Sequence, residues 1–154
     1  MANTTNEPTP PSAAAPASIL VQRRIEWPDT DASGHWHNTA AFRFIEMAET
    51  ALLERLDMLS EVYGRLPRVH IAADFKALLS FRDVVDCVIV VKQVGDSSLT
   101  YEFEIRREGE VCVTATVVVA LLDTETRSPA AWSSEHRRLL LESGPQAPEL
   151  ILVG

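Results

Sequence analysis

Residues 24–58 read RIEWPDTDASGHWHNTAAFRFIEMAETALLERLDM. The stretch opens on the end of a β-strand that spans 19–27 and is stopped by Pro28. Residues 28–38 are rich in Asp, Ser, Gly and Asn, which favour turns over regular structure. Asn38 or Thr39 then caps a helix that runs to about Met58. Wound at ~100° per residue, the helix gathers Arg43, Glu46, Thr50, Glu54 and Asp57 into one narrow polar stripe. Phe42, Phe44, Ile45, Met47, Ala48, Ala51, Leu52, Leu53, Leu56 and Met58 take most of the remaining circumference. A helix this apolar must be enclosed on several sides.

The downstream chain supplies the enclosure. After Gly64 and Pro67, residues 69–79, 84–94, 99–107 and 111–122 read as strands. Gly95-Asp96-Ser97 and Glu108-Gly109-Glu110 join the last three as antiparallel hairpins. Leu99, Tyr101, Phe103 and Ile105 alternate with Thr100, Glu102, Glu104 and Arg106, so that strand covers a core on one face only. Residues 111–122 are apolar on both faces, which marks sheet core or an interface and suggests where an uncovered surface needs a partner. Pro129 precedes a short helix over 133–141, capped by Ser133 or Ser134. The predicted class is α+β: a five-stranded antiparallel sheet around one long helix, plus a short C-terminal helix.

At 154 residues the chain holds one domain. Residues 1–18 carry four prolines and no large apolar side chain after Met1, which predicts a disordered tail. The expected domain spans 19–142, followed by a loose tail over 143–154 whose Leu150–Val153 run has docking potential. Apolar residues make up 46% and charged residues 23%, an ordinary globular balance. A net charge of −8 argues against non-specific nucleic-acid binding, which rests on clustered Lys and Arg. Cys87 and Cys112 cannot form a disulfide framework, and two buried thiols are favoured over one bridge. Neither a membrane span nor a secretory start is legible, so the expected location is cytoplasmic, without membrane or nucleic-acid partners.

The reactive groups concentrate in residues 29–38, DTDASGHWHN, between the first strand and the helix N-terminus. Unpaired N–H groups there suit a carbonyl oxygen gaining negative charge. A carboxylate just upstream has the chemistry of a base or nucleophile. The plainer reading is that two aspartates in a turn bond their own backbone.

Residues 24–49 resemble the opening of hot-dog-fold acyl-thioesterases of the 4-hydroxybenzoyl-CoA thioesterase type. Such proteins begin with a strand, an Asp-x-Asp-x-x-Gly loop often followed by His and Asn, and then the central helix. The matching residues are Asp29, Asp31, Gly34, His35 and Asn38, with Arg43 and Glu46 on the helix. The likeness extends over about 19–141. It implies a hot-dog fold, thioester hydrolysis without a cofactor or metal, and Asp31 as the catalytic carboxylate. It makes Asp29 structural and assigns the oxyanion contact to the backbone N–H of Asn38, ahead of its neighbours His37 and Thr39. Gly34 serves close approach or a positive φ. His35 orients the loop, holds the thioester or is simply structural. Phe42 and Ala41 belong to the substrate pocket, and Ala41 departs from the aromatic residue often found there.

A second departure concerns the carrier. The turn after the third strand is Gly95-Asp96-Ser97-Ser98, without the basic cluster that some relatives use for CoA phosphates. Lys92, Arg137 and Arg138 are the substitutes the sequence offers, and a carrier-protein thioester stays open. His35-x-His37 with Asp31 lacks a third metal ligand nearby in sequence. Glu49 falls within the apolar arc of the helix, as a buried acid, an ion-pair member or a subunit contact. A non-catalytic acyl-thioester binder and a hydratase or dehydratase on the same fold are the rival functions. The exposed sheet edge expected of so small a sheet predicts a homodimer or homotetramer with sites at the interface.

Overall fold

The computed structural model describes residues 14–145. Its elements are β1 (Ser18–Arg24), α1 (Ala40–Arg55), α2 (Leu59–Val62), β2 (Arg68–Phe75), β3 (Val84–Val94), β4 (Ser98–Arg107), β5 (Glu110–Ala120) and α3 (Ser134–Glu142). The five strands form one antiparallel sheet in the order β1-β3-β4-β5-β2. α1 lies against β1 and β3 on the inner face. This is the α+β hot-dog architecture: one long helix held in a curled sheet.

Alternation builds the core. Val85, Cys87, Ile89 and Val91 of β3 and Leu99, Tyr101, Phe103 and Ile105 of β4 all point inward and are buried. They meet Phe44, Ile45, Ala48 and Leu52 of α1. Cys87 and Cys112 are buried free thiols, and burial pushes the Cys87 thiol up to about 12. The Arg55 guanidinium closes the end of α1 by donating to the carbonyls of Ser18, Ser143 and Gly144 at 2.7–3.0 Å.

Several expectations need adjusting. The predicted long helix ends at Arg55, because Asp57 takes φ 55 and the chain turns into the separate α2. The loop after β1 contains a 3-10 turn, Trp27–Asp29, pinned where the Asp29 carboxylate accepts from Glu26 N at 2.9 Å. β5 is an interior strand between β4 and β2, so its two apolar faces reflect sheet interior. The surface left without cover belongs to β2, an edge strand with Val69 64% and Phe75 50% exposed.

Ordered contacts also begin before position 19. Ala17 is buried and its N–H donates to Leu140 O at 2.9 Å, while Gly144 N donates to Ala15 O at 2.8 Å. Most of the predicted N-terminal tail and the Leu150–Val153 run lie outside the described residues. Among the described residues, no helix is long and apolar enough to cross a membrane.

Candidate active site

The loop between β1 and α1 is organised by its two aspartates in different ways. Asp29 is buried and faces two guanidinium groups, Arg43 at 2.9 Å and Arg23 at 3.3 Å. Arg23 lies over the Phe44 ring, 4.0 Å from its centroid, so Asp29 ties the end of β1 to α1. Its structural reading therefore has concrete partners.

Asp31 is exposed, and its carboxylate accepts from Ser33 N at 2.8 Å and from Ser33 Oγ. These hydrogen bonds, from the side chain first and then the backbone, favour the ionised form and hold the carboxyl below its ordinary range. Ser33 Oγ also lies 3.0 Å from His35 Nδ1. Asp31 N donates to His35 O, and Gly34 N donates to Asp31 O, both at 3.0 Å. Gly34 has φ 82, so the glycine serves the turn's left-handed backbone, and open space lies around it.

The start of α1 leaves one N–H group free. His37 N donates to Asp29 O, Thr39 N to His37 Nδ1, Ala40 N to His37 O, Ala41 N to Asn38 O and Phe42 N to Thr39 O. Among the described residues, Asn38 N alone in this run has no acceptor. Thr39 occupies the cap position without a side-chain cap bond; its hydroxyl instead meets His37 Nδ1 at 2.6 Å. The two histidines thus turn to different neighbours, His35 to Ser33 and His37 to Thr39.

Asn38 and Thr39 also line a cavity of about 250 Å³ with Ala41, Phe42, Ile45, Ile71, Ala73 and Phe75. Four residues singled out from the sequence are thereby brought together. Asp31, Gly34, His35 and His37 sit in the adjoining loop and are not part of the cavity lining. Sequence reading missed the β2 wall. Its signal was the apolar alternation of Val69, Ile71, Ala73 and Phe75 on one face of an edge strand. It also missed Trp36, which packs edge to face on Phe44 at 5.4 Å and anchors the loop over the core.

A second, larger cavity of about 560 Å³ lies further along α1, where Glu49, Leu53, Leu66 and Arg68 line it. Glu49 is buried and accepts from Arg68 Nη1 at 2.7 Å. Burial pushes its carboxyl up, and Arg68 only partly offsets the rise. The Tyr101 hydroxyl beside it is buried, which pushes it well above its ordinary range.

The proposed CoA contacts from the sequence fall elsewhere. Lys92 pairs with Glu102 at 2.8 Å, and Arg137 donates to the carbonyls of Val94 and Gly95. Within one chain these groups stand at the opposite end of the sheet from the Asp31 loop, because β1 enters that loop beside the start of β3.

A curled five-stranded sheet around one helix, with a carboxylate loop leading into the helix N-terminus beside an apolar cavity, defines a hot-dog thioester hydrolase. The chain belongs to the thioesterase-like superfamily, whose model matches residues 25–140. It is 26% identical over 121 residues to the uncharacterised protein YsmA of Bacillus subtilis (strain 168), covering 77% of this chain and 82% of that one. It is 26% identical over 138 residues to the 1,4-dihydroxy-2-naphthoyl-CoA hydrolase of Prochlorococcus marinus (strain MIT 9303), covering 82% and 91%. Its backbone superposes on a 1,4-dihydroxy-2-naphthoyl-CoA thioesterase from Synechocystis with a TM-score of 0.73 at 18% identity, covering 80% and 95%. The family so established is broader than the 4-hydroxybenzoyl type that the loop resembles.

Proposed function

We propose that the chain hydrolyses an acyl-CoA thioester with Asp31 as the reacting carboxylate and Asn38 N–H as the oxyanion donor. The observation that carries this reading is the single free N–H at the start of α1. It belongs to a residue that lines the apolar cavity and follows the Asp31 loop directly. The acyl group enters the cavity against Phe42 and Phe75, and its carbonyl oxygen accepts from Asn38 N. Helix-terminal N–H groups stabilise the charge that develops there.

Two routes share this geometry. Either Asp31 attacks the carbonyl carbon, the C–S bond breaks, and water hydrolyses the resulting anhydride. Or Asp31 takes a proton from water as the oxygen bonds to carbon, and the thiolate leaves and is protonated. Both give one carboxylic acid and one thiol. A hydroxyaryl acyl group is favoured because the Prochlorococcus relative is named for such a substrate and because the cavity's outer wall is aromatic. Ala41, small and buried in the cavity lining, leaves depth for a fused ring.

The same reading extends to a second copy of the chain paired along β2. Its support is the uncovered strand and the half-exposed Phe42 and Phe75, which form the cavity's outer wall. Sedimentation at micromolar concentration tests this part, and a folded monomer alone rejects it. The chemistry is tested by free-thiol release from a panel of aromatic and aliphatic acyl-CoAs. Asp31→Asn should lower kcat by at least ~100-fold with KM nearly unchanged, as expected for loss of a positioned base. A folded variant that keeps wild-type turnover rejects the assignment. Thiol release also separates hydrolysis from mere binding and from hydration.

A further inference from the structure

Beside the Asp31 loop, folding leaves a group of large apolar side chains in water. Trp27 is 77% exposed and Phe81 45%, and their rings meet edge to face at 6.3 Å. Leu78 and Val84 flank Phe81 in the chain and are 69% and 40% exposed. None of these residues lines the acyl cavity. Trp27 follows β1 and Val84 opens β3, on the other side of the sheet from β2, whereas Leu78 lies just past the end of β2. Neither the core nor the proposed copy-to-copy edge accounts for Trp27, Phe81 and Val84.

The same surface carries cations in a chain whose net charge is −8. The Arg82 guanidinium stands 6.0 Å from the Phe81 ring centroid, and its nearest carboxylate, Glu26, is 3.9 Å away. Arg24 is exposed and sits opposite Val84 in the β1–β3 register. Arg82 has φ 75 in a turn closed by Asp83 N donating to Ser80 O at 3.1 Å. Glycine or asparagine is usual at such a turn position, so an arginine there is held against backbone preference.

The turn is joined to the reacting loop. Trp36 N donates to Leu79 O at 2.8 Å, His35 bridges Ser80, and Arg82 N donates to Ile25 O at 2.9 Å. Thr30, next to Asp31, donates through both N and Oγ1 to Trp27 O. The aromatic pair and the carboxylate are therefore parts of one hydrogen-bonded unit.

We propose that Trp27, Phe81 and Arg82 dock the adenine nucleotide end of the CoA thioester, with Arg24 as a second phosphate contact. This rests on the thioesterase reading above. An edge-to-face pair forms a corner: a purine stacked on one ring meets the edge of the other. A guanidinium beside the corner suits the attached phosphates. One aromatic corner with two arginines matches a single nucleotide better than the broad face that a protein-borne thioester would need. The dock also replaces the basic turn that the chain lacks at Gly95–Ser98.

Two measurements on the full chain test it. The first is a tryptophan fluorescence titration with adenosine 3′,5′-bisphosphate. Trp36 and Trp132 are buried, so Trp27 is the ring the nucleotide can reach. Saturable quenching that disappears in Trp27→Ala is the expected result. The second is the ratio of kcat/KM for an acyl-CoA to kcat/KM for the same acyl group on N-acetylcysteamine, which has no nucleotide. In Trp27→Ala this ratio should fall about tenfold, through KM, which is the size of one lost base stack. Arg82→Ala should lower it in the same sense. An unchanged ratio with no quenching overturns the dock while leaving hydrolysis intact. A larger loss on an acyl-carrier-protein ester than on the CoA ester, or a changed sedimentation coefficient in Trp27→Ala, also overturns it. If the wild type hydrolyses neither ester, the thioesterase reading fails, and quenching by the nucleotide alone still upholds the dock.

Discussion

In the loop before α1, Asp31 lies in water and accepts from the N–H and hydroxyl of Ser33. Halfway along α1, Glu49 is buried and leans on one arginine. The first carboxyl is held below its ordinary range by hydrogen bonds to its ionised form. The second is pushed above its range by loss of solvent. Opposite environments push two acids of similar intrinsic strength in opposite directions. Asp31 is charged and accessible, in the loop that leads to the free N–H of Asn38. Glu49 is a costly charge that the packing tolerates because Arg68 is present. Asp123 adds a third case: backbone N–H groups of Thr126 and Glu125 lower its carboxyl in the same way as Ser33 does for Asp31. Its loop leads to α3, whose first turn is capped by Ser133. The proposed reactive role of Asp31 therefore rests on its place before α1 and not on its hydrogen bonds.

The contrast breaks most directly on turnover. Asp31→Asn should cost at least ~100-fold in kcat, while Glu49→Gln should cost less than about tenfold, since an acid that only packs contributes no reacting group. Steady-state kinetics of both variants decide it, and a reversed order would move the chemistry to the middle of α1.

Stability gives the next largest effect. Arg68→Met leaves Glu49 buried without its cation and should destabilise the fold by about 2 kcal/mol at neutral pH, less than for a fully buried pair because Arg68 is partly exposed. Because the folded-state carboxyl is raised, the unfolded chain releases its proton first, and stability falls as pH rises between the ordinary value and the raised one. The deficit of Arg68→Met should therefore shrink as pH is lowered through that window. Urea unfolding at several pH values measures it, and a deficit that grows on acidification contradicts the buried-charge account.

The smallest effect sharpens the Asp31 side. Ser33→Ala removes the hydroxyl donor but keeps the backbone one. The Asp31 carboxyl should rise toward its ordinary value, and the acid limb of the kcat/KM profile should move to higher pH. A limb that stays in place would mean that another group sets it.

Much of the molecule was legible because local chemistry leaves periodic marks. Alternation in 99–107 and the punctuation at 95–98 and 108–110 locate the hairpins to within a residue or two. The cap at Ser133 is visible as a serine before a helical run, and its side chain accepts from His136 N at 3.1 Å. The break at Asp57 was not legible, because an aspartate in a left-handed conformation leaves no mark beside an apolar run. The Asp31 loop stood out by residue type, whereas the wall opposite it, Ile71, Ala73 and Phe75, looked like any other strand.

By itself the sequence determined the order of elements, the carboxylate loop and the helix that follows it, because hydrophobic period, turn residues and caps act over a few neighbouring positions. Strand order, the exposure of β2, the cavity beside Asn38 and the meeting of Trp27 with Phe81 were decided only in the folded chain. Each depends on which distant segments pair. Glu49 belongs to both levels: the helical wheel puts an acid in an apolar arc, and only Arg68, arriving on β2, makes its burial tolerable.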